Sequence, residues 1–321
     1  MKCPRPFLSA EITQHGEVRL CCPSWLPTSI GNIKDKDVWN SEIAIKIRKS
    51  ILDENYEYCR YEFCPFLSSG INLEENPSEN AINSIENNET KLSYGPEKVV
   101  ACYDRSCSLH CKSCRSEVIM EDSQDLHNHF LRFIKDTKHL TLLGSGELFS
   151  SKVILNWLSN FDKTKFPKLN HICILSNGLL FNKPNWEKIM PVQHLVKEIK
   201  ISMDAVSKET YLLNREGGDF DTLINNLNFI KTLNIKTYLV FVVQKNNFFE
   251  MKEFVTFARK YNFHPTFILL DNWGTYSKEE YESRAVHLKT NPSFIKFKKT
   301  LNDPFFKGSD IYLSNLNQFI D

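Results

Sequence analysis

Residues 98–114 read KVVACYDRSCSLHCKSC: a short apolar run, Lys98 to Tyr103, that opens directly onto three cysteines at 107, 111 and 114. That run is the first of six. HLTLLG (139–144), HICILS (171–176), EIKISM (198–203), TYLVFVV (237–243) and TFILL (266–270) follow it. Amphipathic segments lie between them, clearest at DTLINNLNFIKTL (221–233) and FFEMKEFVTFARKY (248–261). In the latter, Met251, Phe254, Val255 and Ala258 recur at the three- and four-residue spacing of one buried helix face. Continuous apolar strands separated by helices predict parallel strands buried on both faces. The fold class is therefore α/β. Six units predict an open or partial (β/α)6 barrel rather than a closed eight-stranded one, with reacting groups at the C-terminal ends of the strands.

The 321 residues are 41% hydrophobic and include 23 Phe, enough for a sizeable core. Forty Lys and Arg against 39 Asp and Glu leave a net charge of +1, so no bulk electrostatic capture of nucleic acid or membrane is expected. The opening MKCPRPFLSAEITQ has no apolar signal core, and no run approaches the ~18 apolar residues of a membrane helix. A cytoplasmic chain with reduced thiols is the expectation, in which clustered cysteines favour metal binding or catalysis over disulfides.

Nine of the ten cysteines lie in the first 114 residues: Cys3, Cys21, Cys22, Cys59, Cys64, Cys102, Cys107, Cys111 and Cys114; only Cys173 lies beyond. INLEENPSENAINSIENNET (71–90), rich in Asn and Glu, reads as a solvated linker. The expected organisation is a small cysteine-rich domain (1–67), a linker (68–97), the partial barrel (98–271) and a C-terminal helical extension (272–321).

Thiolates at 107, 111 and 114, on one tight loop, can converge on a single metal centre and leave a position open for a ligand. Such soft donors select zinc or an iron–sulfur cluster. Polar motifs close the later strands. The second ends in Gly144-Ser145-Gly146-Glu147, whose glycines let backbone approach a ligand and whose acid can pair with an ammonium. The third ends in Ser176-Asn177-Gly178 and the fourth in Ser202-Met203-Asp204, followed by Tyr211 and Arg215-Glu216-Gly217-Gly218; Gln244 closes the fifth.

In this order, over roughly residues 98–271, the motifs resemble the radical S-adenosylmethionine (SAM) superfamily. The resemblance implies that Cys107, Cys111 and Cys114 hold a [4Fe–4S] cluster whose fourth iron is chelated by SAM. It places Gly144, Ser145, Gly146 and Glu147 at the SAM amino group. Ser176 and Asn177 match the polar triplet after the third strand, and Ser202 and Asp204 the serine-and-acid pattern near the ribose and carboxylate. Arg215 becomes the partner of the SAM carboxylate, a bidentate role suited to guanidinium. The implied reaction is reductive cleavage of SAM to a 5′-deoxyadenosyl radical that abstracts hydrogen from a substrate. One departure is Ser113, where family members often carry a large apolar residue; Leu109, His110 or a later strand must then pack the adenine. Otherwise His110 reads as a loop side chain near the cluster. Cys102 and Cys173 read as core thiols.

The N-terminal cysteines have their own spacing. Gln14-His15-Gly16-Glu17 predicts a hairpin turn that brings Cys3 and Cys21 together, and a helix over Ser41 to Leu52 leads to Cys59 and Cys64. Four thiolates from two segments suit a Cys₄ cluster or zinc site. EVRLCCPSW, IGNIKDKDVWNSE and YCRYEFC resemble the auxiliary-cluster module called SPASM or twitch, which here precedes the barrel instead of following it. Five cysteines are too few for two full clusters, so the resemblance implies one auxiliary cluster on Cys3, Cys21, Cys59 and Cys64, with Cys22 an alternative to Cys21.

Such a cluster implies a two-electron oxidation, or a crosslink, and a flavodoxin- or ferredoxin-type electron donor. With no segment to spare for a leader-binding domain, a small or carbohydrate-like substrate is expected, and a peptide matured by side-chain oxidation or crosslinking is the alternative. The alternative of another class is a non-catalytic, zinc-stabilised binding protein. Asp271, Trp273 and Tyr276 follow the sixth strand and either face substrate or pack the C-terminal helix.

Overall fold

The computed structural model describes residues 2–70 and 77–320, so residues 71–76 of the expected linker lie outside the described residues. Two compact units result, and the chain passes between them more than once. The first holds 1–105, 121–174 and 189–196; the second holds 106–120, 175–188 and 197–321.

In the first unit, β1 (Ser9–Ile12), β2 (Glu17–Arg19) and β3 (Gly31–Asn32) form an antiparallel ribbon. The expected turn is present as a 3₁₀ turn over Gln14–Gly16, with Gly16 at φ +80°. A Cβ on Gly16 would stand 2.7 Å from Leu126 Cδ2, so space as well as backbone conformation requires glycine. β1 then pairs in parallel with β4 (Lys98–Ala101), β4 with β5 (His139–Leu142), and β5 with β6 (His171–Ser176). The cysteine-rich segment therefore donates a parallel strand to the α/β sheet. Ile12, Val99, Ala101, Leu140, Leu142, Ile172 and Ile174 are buried along it.

The helix Glu42–Leu52 starts where Ser41 Oγ accepts the Ala44 N–H, an N-cap. Inside it Arg48 is wholly buried; it donates to the carbonyls of Pro6, Trp39 and Thr90 and stacks on the Trp39 ring at 4.5 Å. Where composition suggested a solvated linker, Glu79–Glu86 form a helix capped by Ser78. Its small residues Ala81 and Ser84 are buried, so it packs without the large apolar side chains that would have marked it. Beyond it, Trp39 Nε1 donates to Tyr94 O and Asn40 Nδ2 to Leu92 O.

The second unit carries β7 (Val196–Ser202), β8 (Lys236–Val243) and β9 (His264–Leu269), paired in parallel. Ile199, Ile201 and Leu239 are buried, and Phe241 and Phe267 pack on Phe254 of the helix Met251–Tyr261, the Phe241 and Phe254 rings 4.8 Å apart and edge-on. Residues 272–320 add helices Lys278–Arg284 and Phe294–Leu301 and a bridge from Tyr312 to Thr266. No helix among the described residues is long and apolar enough to cross a membrane.

Candidate metal centres

In the second unit the loop 106–120 is closed at its base by a bridge between Cys107 and Ile119. A tight turn joins the other two cysteines, with Cys114 N–H donating to Cys111 O at 2.8 Å. The loop is steadied from outside by the arginine-and-glycine segment: His110 N–H donates to Glu216 O at 3.2 Å. Gly217, at φ +83°, lies so close that a Cβ there would be 3.2 Å from His110 Cε1. Lys112 pairs with Glu280 of the C-terminal extension at 3.2 Å.

Each of the three thiols meets a side-chain N–H donor. Asn177 Nδ2 lies 3.7 Å from Cys107 Sγ, Arg215 Nη1 3.9 Å from Cys111 Sγ, and Arg115 Nη2 3.5 Å from Cys114 Sγ. Leu109 N–H adds a second donor to Cys107 at 3.5 Å. Cys107 and Cys111 are buried and Cys114 is exposed.

Behind Cys111 sits an ion pair. Arg215 Nη2 lies 2.8 Å from Asp204 Oδ2, with both side chains largely out of solvent. Asp204 Oδ1 also accepts the Val242 N–H, and its carbonyl accepts from the side-chain amides of Asn214 and Asn247. Burial pushes the Asp204 carboxyl up while Arg215 pulls it back. Burial works against the Arg215 charge, and Asp204 and Cys111 more than offset it. Arg215 Nε and the Tyr211 hydroxyl are both buried with no hydrogen-bond partner among the described residues. Ser176 is buried, its Oγ accepting the Gly178 N–H, and Ser202 ends β7 half-buried.

The glycine motif belongs to the first unit. Ser145 Oγ donates to Cys102 O. Glu147 is wholly buried, and its carboxylate caps the 3₁₀ turn Leu148–Ser150 by accepting the Phe149 N–H at 3.3 Å.

The first unit also gathers the N-terminal thiols. Cys3, Cys21 and Cys64 are buried and Cys59 half-buried. Burial pushes the Cys21 thiol far up, and neighbouring Cys22, Cys3 and Cys64 push it further. Burial raises Cys59 to about 12, helped by Cys64 and Cys3. Backbone bonds from Cys59 to Tyr56, from Arg60 to Trp25 and from Cys64 to Arg60 fix the second pair against the first. Cys22 faces elsewhere: burial and then Glu11 raise it to about 11. Glu11, on β1, is itself raised to about 7 by burial, and it hydrogen-bonds Cys102.

Both thiol sets suit iron–sulfur clusters. Cys21 and Cys59, both pushed up by burial and by neighbouring cysteines, become thiolates together only around a cationic core. Three sulfurs each facing N–H donors match the hydrogen bonding that accompanies cluster thiolates. Among the described residues no group of three or more His, Cys, Asp or Glu side chains is set for a single metal ion. Sequence reasoning missed Arg115, although its place directly after the third cysteine is a usable signal, and Glu11 and Arg48, which carry none.

A family model for the SPASM iron–sulfur cluster-binding domain matches residues 3–65. No curated protein matches the sequence. Among solved structures, Streptococcus suis SuiB bound to S-adenosylmethionine is similar at 19% identity, with 75% of this chain and 56% of that chain covered and a TM-score of 0.46. Native anSMEcpe with bound AdoMet and Kp18Cys peptide is similar at 21% identity, over 56% of this chain and 55% of that one, with a TM-score of 0.41. The chain thus spans little more than half the length of the solved chains it matches. The segment that matches the SPASM iron–sulfur cluster-binding domain, residues 3–65, is the one that carries the β1–β3 ribbon, the helix Glu42–Leu52 and the four gathered thiols.

Proposed function

We propose that the protein is a radical SAM enzyme with one auxiliary cluster. The observation that carries this reading is the loop of Cys107, Cys111 and Cys114, each sulfur met by a side-chain N–H, in a chain whose residues 3–65 match a SPASM domain. Those three thiolates would hold the SAM-binding [4Fe–4S] cluster, and Cys3, Cys21, Cys59 and Cys64 the auxiliary one. When bound, the cluster and SAM supply a one-electron cleavage that delivers a 5′-deoxyadenosyl radical to a substrate C–H bond.

The chain's own residues bind and orient. Gly144, Ser145, Gly146 and Glu147 form the turn assigned to the SAM amino group. Ser176, Asn177, Ser202, Asp204 and Arg215 stand at or beyond strand ends as the polar contacts of its ribose and carboxylate. Buried Leu109 and half-buried His110 supply apolar surface where Ser113 does not. The segment after β9, whose Tyr276 is buried beneath the Arg284 guanidinium at 5.1 Å, would supply the shielding from water that radical chemistry requires.

We assign the reaction as an oxidation of a small or carbohydrate-like molecule, with an electron donor of the flavodoxin or ferredoxin type. SuiB has been seen with its precursor peptide SuiA and anSMEcpe with a peptide, and a peptide substrate is the alternative outcome of a substrate screen. The test of the reading is anaerobic purification followed by iron, sulfide and zinc analysis. Broad absorbance near 400 nm and release of 5′-deoxyadenosine from SAM under reducing conditions are expected, with release abolished in Cys111→Ala. Stoichiometric zinc without labile sulfide would refute it.

A further inference from the structure

Two of the three thiols on the 106–120 loop face guanidinium groups, and neither contact is needed to form the loop. Backbone bonds already close it: Cys107 N–H to Ile119 O, Cys114 N–H to Cys111 O and His110 N–H to Glu216 O. Arg115 is nonetheless buried, with Nη2 3.5 Å from Cys114 Sγ, although Cys114 itself is exposed. Arg215 reaches Cys111 from the far end of the helix Lys208–Asn214, and Asp204 fixes its fork at 2.8 Å. Burying two guanidiniums is costly unless something nearby is negative. Asp204 answers for one charge. Thiolates at Cys111 and Cys114 place negative charge beside both guanidiniums.

We propose that Arg115 and Arg215 set the reduction potential of the cluster held by Cys107, Cys111 and Cys114, raising it by stabilising the reduced state. The proposal rests on the cluster assignment above and adds a role for the two arginines that the assignment does not require. Reduction places one further negative charge, taken from an external one-electron donor, on a centre that three thiolates already make anionic. Net charge and hydrogen bonds to sulfur are the protein's main levers on that potential. A cation within 4 Å of a ligand sulfur, carried on a residue that is itself largely out of solvent, favours the more negative state more strongly than a solvated cation would. Asn177, the donor to Cys107, offers a hydrogen bond without charge, so it contributes the smaller part. Lys112 lies on the same loop, but it is half-exposed and pairs with Glu280, so its charge is screened and already answered.

The experiment is a potentiometric titration of the full-length, cluster-loaded protein, following the reduced-cluster electron paramagnetic resonance signal that disappears in Cys111→Ala. Arg115→Gln and Arg215→Gln are each expected to shift the midpoint to lower potential, and the double variant further than either. Lys112→Gln should leave it in place. Arg115→Lys and Arg215→Lys, which keep the charge without the fork, should fall between the native and Gln values; they carry the measurement if a Gln variant takes up less iron. An unmoved midpoint in the double variant, at native iron and sulfide content, overturns the proposal and leaves the cluster assignment standing. Native protein without that signal overturns the assignment itself.

Discussion

Arg215 and Asp204 hold one another at 2.8 Å beside the Cys111 thiol, with Asp204 in the left-handed backbone region at φ +61°. A non-glycine residue in that region is strained, and surrounding bonds must hold it there. Here Val242 N–H grips the carboxylate, and Asn214 and Asn247 grip the carbonyl. Removing one partner leaves an uncompensated buried charge. Asp204→Asn and Arg215→Gln should each cost about 3–5 kcal/mol in denaturant-monitored stability. The double variant should cost clearly less than the sum, because it leaves no orphan charge. Additive losses would show that the two side chains do not act as a pair.

The parallel strands were legible because both faces are buried. HICILS and TYLVFVV have no polar alternation to confuse, and they lie at His171–Ser176 and Lys236–Val243. The helix predicted over Ser41 to Leu52 lies at Glu42–Leu52, where Ser41 caps it. What stayed hidden was non-local. Nothing in SAEI announces that β1 pairs with Lys98–Ala101, some ninety residues on. The helix Glu79–Glu86 buries only small side chains, so composition read it as solvated. At the site, the cysteines could be found by spacing, but which donor meets which sulfur could not. Asn177, Arg115 and Arg215 come from three separate segments, and Asp204 and Arg215 read as two separate ligand contacts before the fold joined them.

The choice between Cys21 and Cys22 follows from what each thiol faces. Cys21 is surrounded by Cys3 and Cys64, and Cys22 by Glu11 and Ser24. Cys21→Ala should therefore lose about one cluster's worth of iron and sulfide per chain, and Cys22→Ala should retain it. Equal loss in both variants would mean that the adjacent thiols share the ligand role.

Gly217 tests whether the second unit's glycines matter to the loop of Cys107, Cys111 and Cys114. Any side chain there meets an unfavourable backbone at φ +83° and a contact of 3.2 Å with His110. Gly217→Ala should cost about 1–3 kcal/mol. It should also lower iron retention by the Cys107, Cys111 and Cys114 site, because His110 is the loop residue that Glu216 and Gly217 hold. Full retention at reduced stability would confine the effect to the backbone.

Stability should fall on mild acidification, and two histidines give the reason. Burial holds His127 near pKa 4, opposed by Asp104, while its Nδ1 shares a 2.6 Å hydrogen bond with the Tyr103 hydroxyl. His287 is also held near 4 by burial, opposed by Asp271, with the Tyr281 hydroxyl 3.5 Å from Nε2. In the unfolded chain both titrate near the ordinary value of about 6.5. Between these values the unfolded state binds protons that the folded state refuses. Each histidine's contribution is thus complete above pH 6.5 and is lost as pH falls toward 4. From pH 7 to pH 5 the loss should be about 2 kcal/mol per histidine, read from denaturation midpoints. His127→Gln, which keeps a partner for the Tyr103 hydroxyl, and His287→Gln should each flatten that slope even if they lower stability at pH 7. A slope unchanged in the double variant would assign the acid sensitivity to groups other than these and other than Glu11, which, raised to about 7, binds its proton more tightly in the folded state and so favours folding as pH falls.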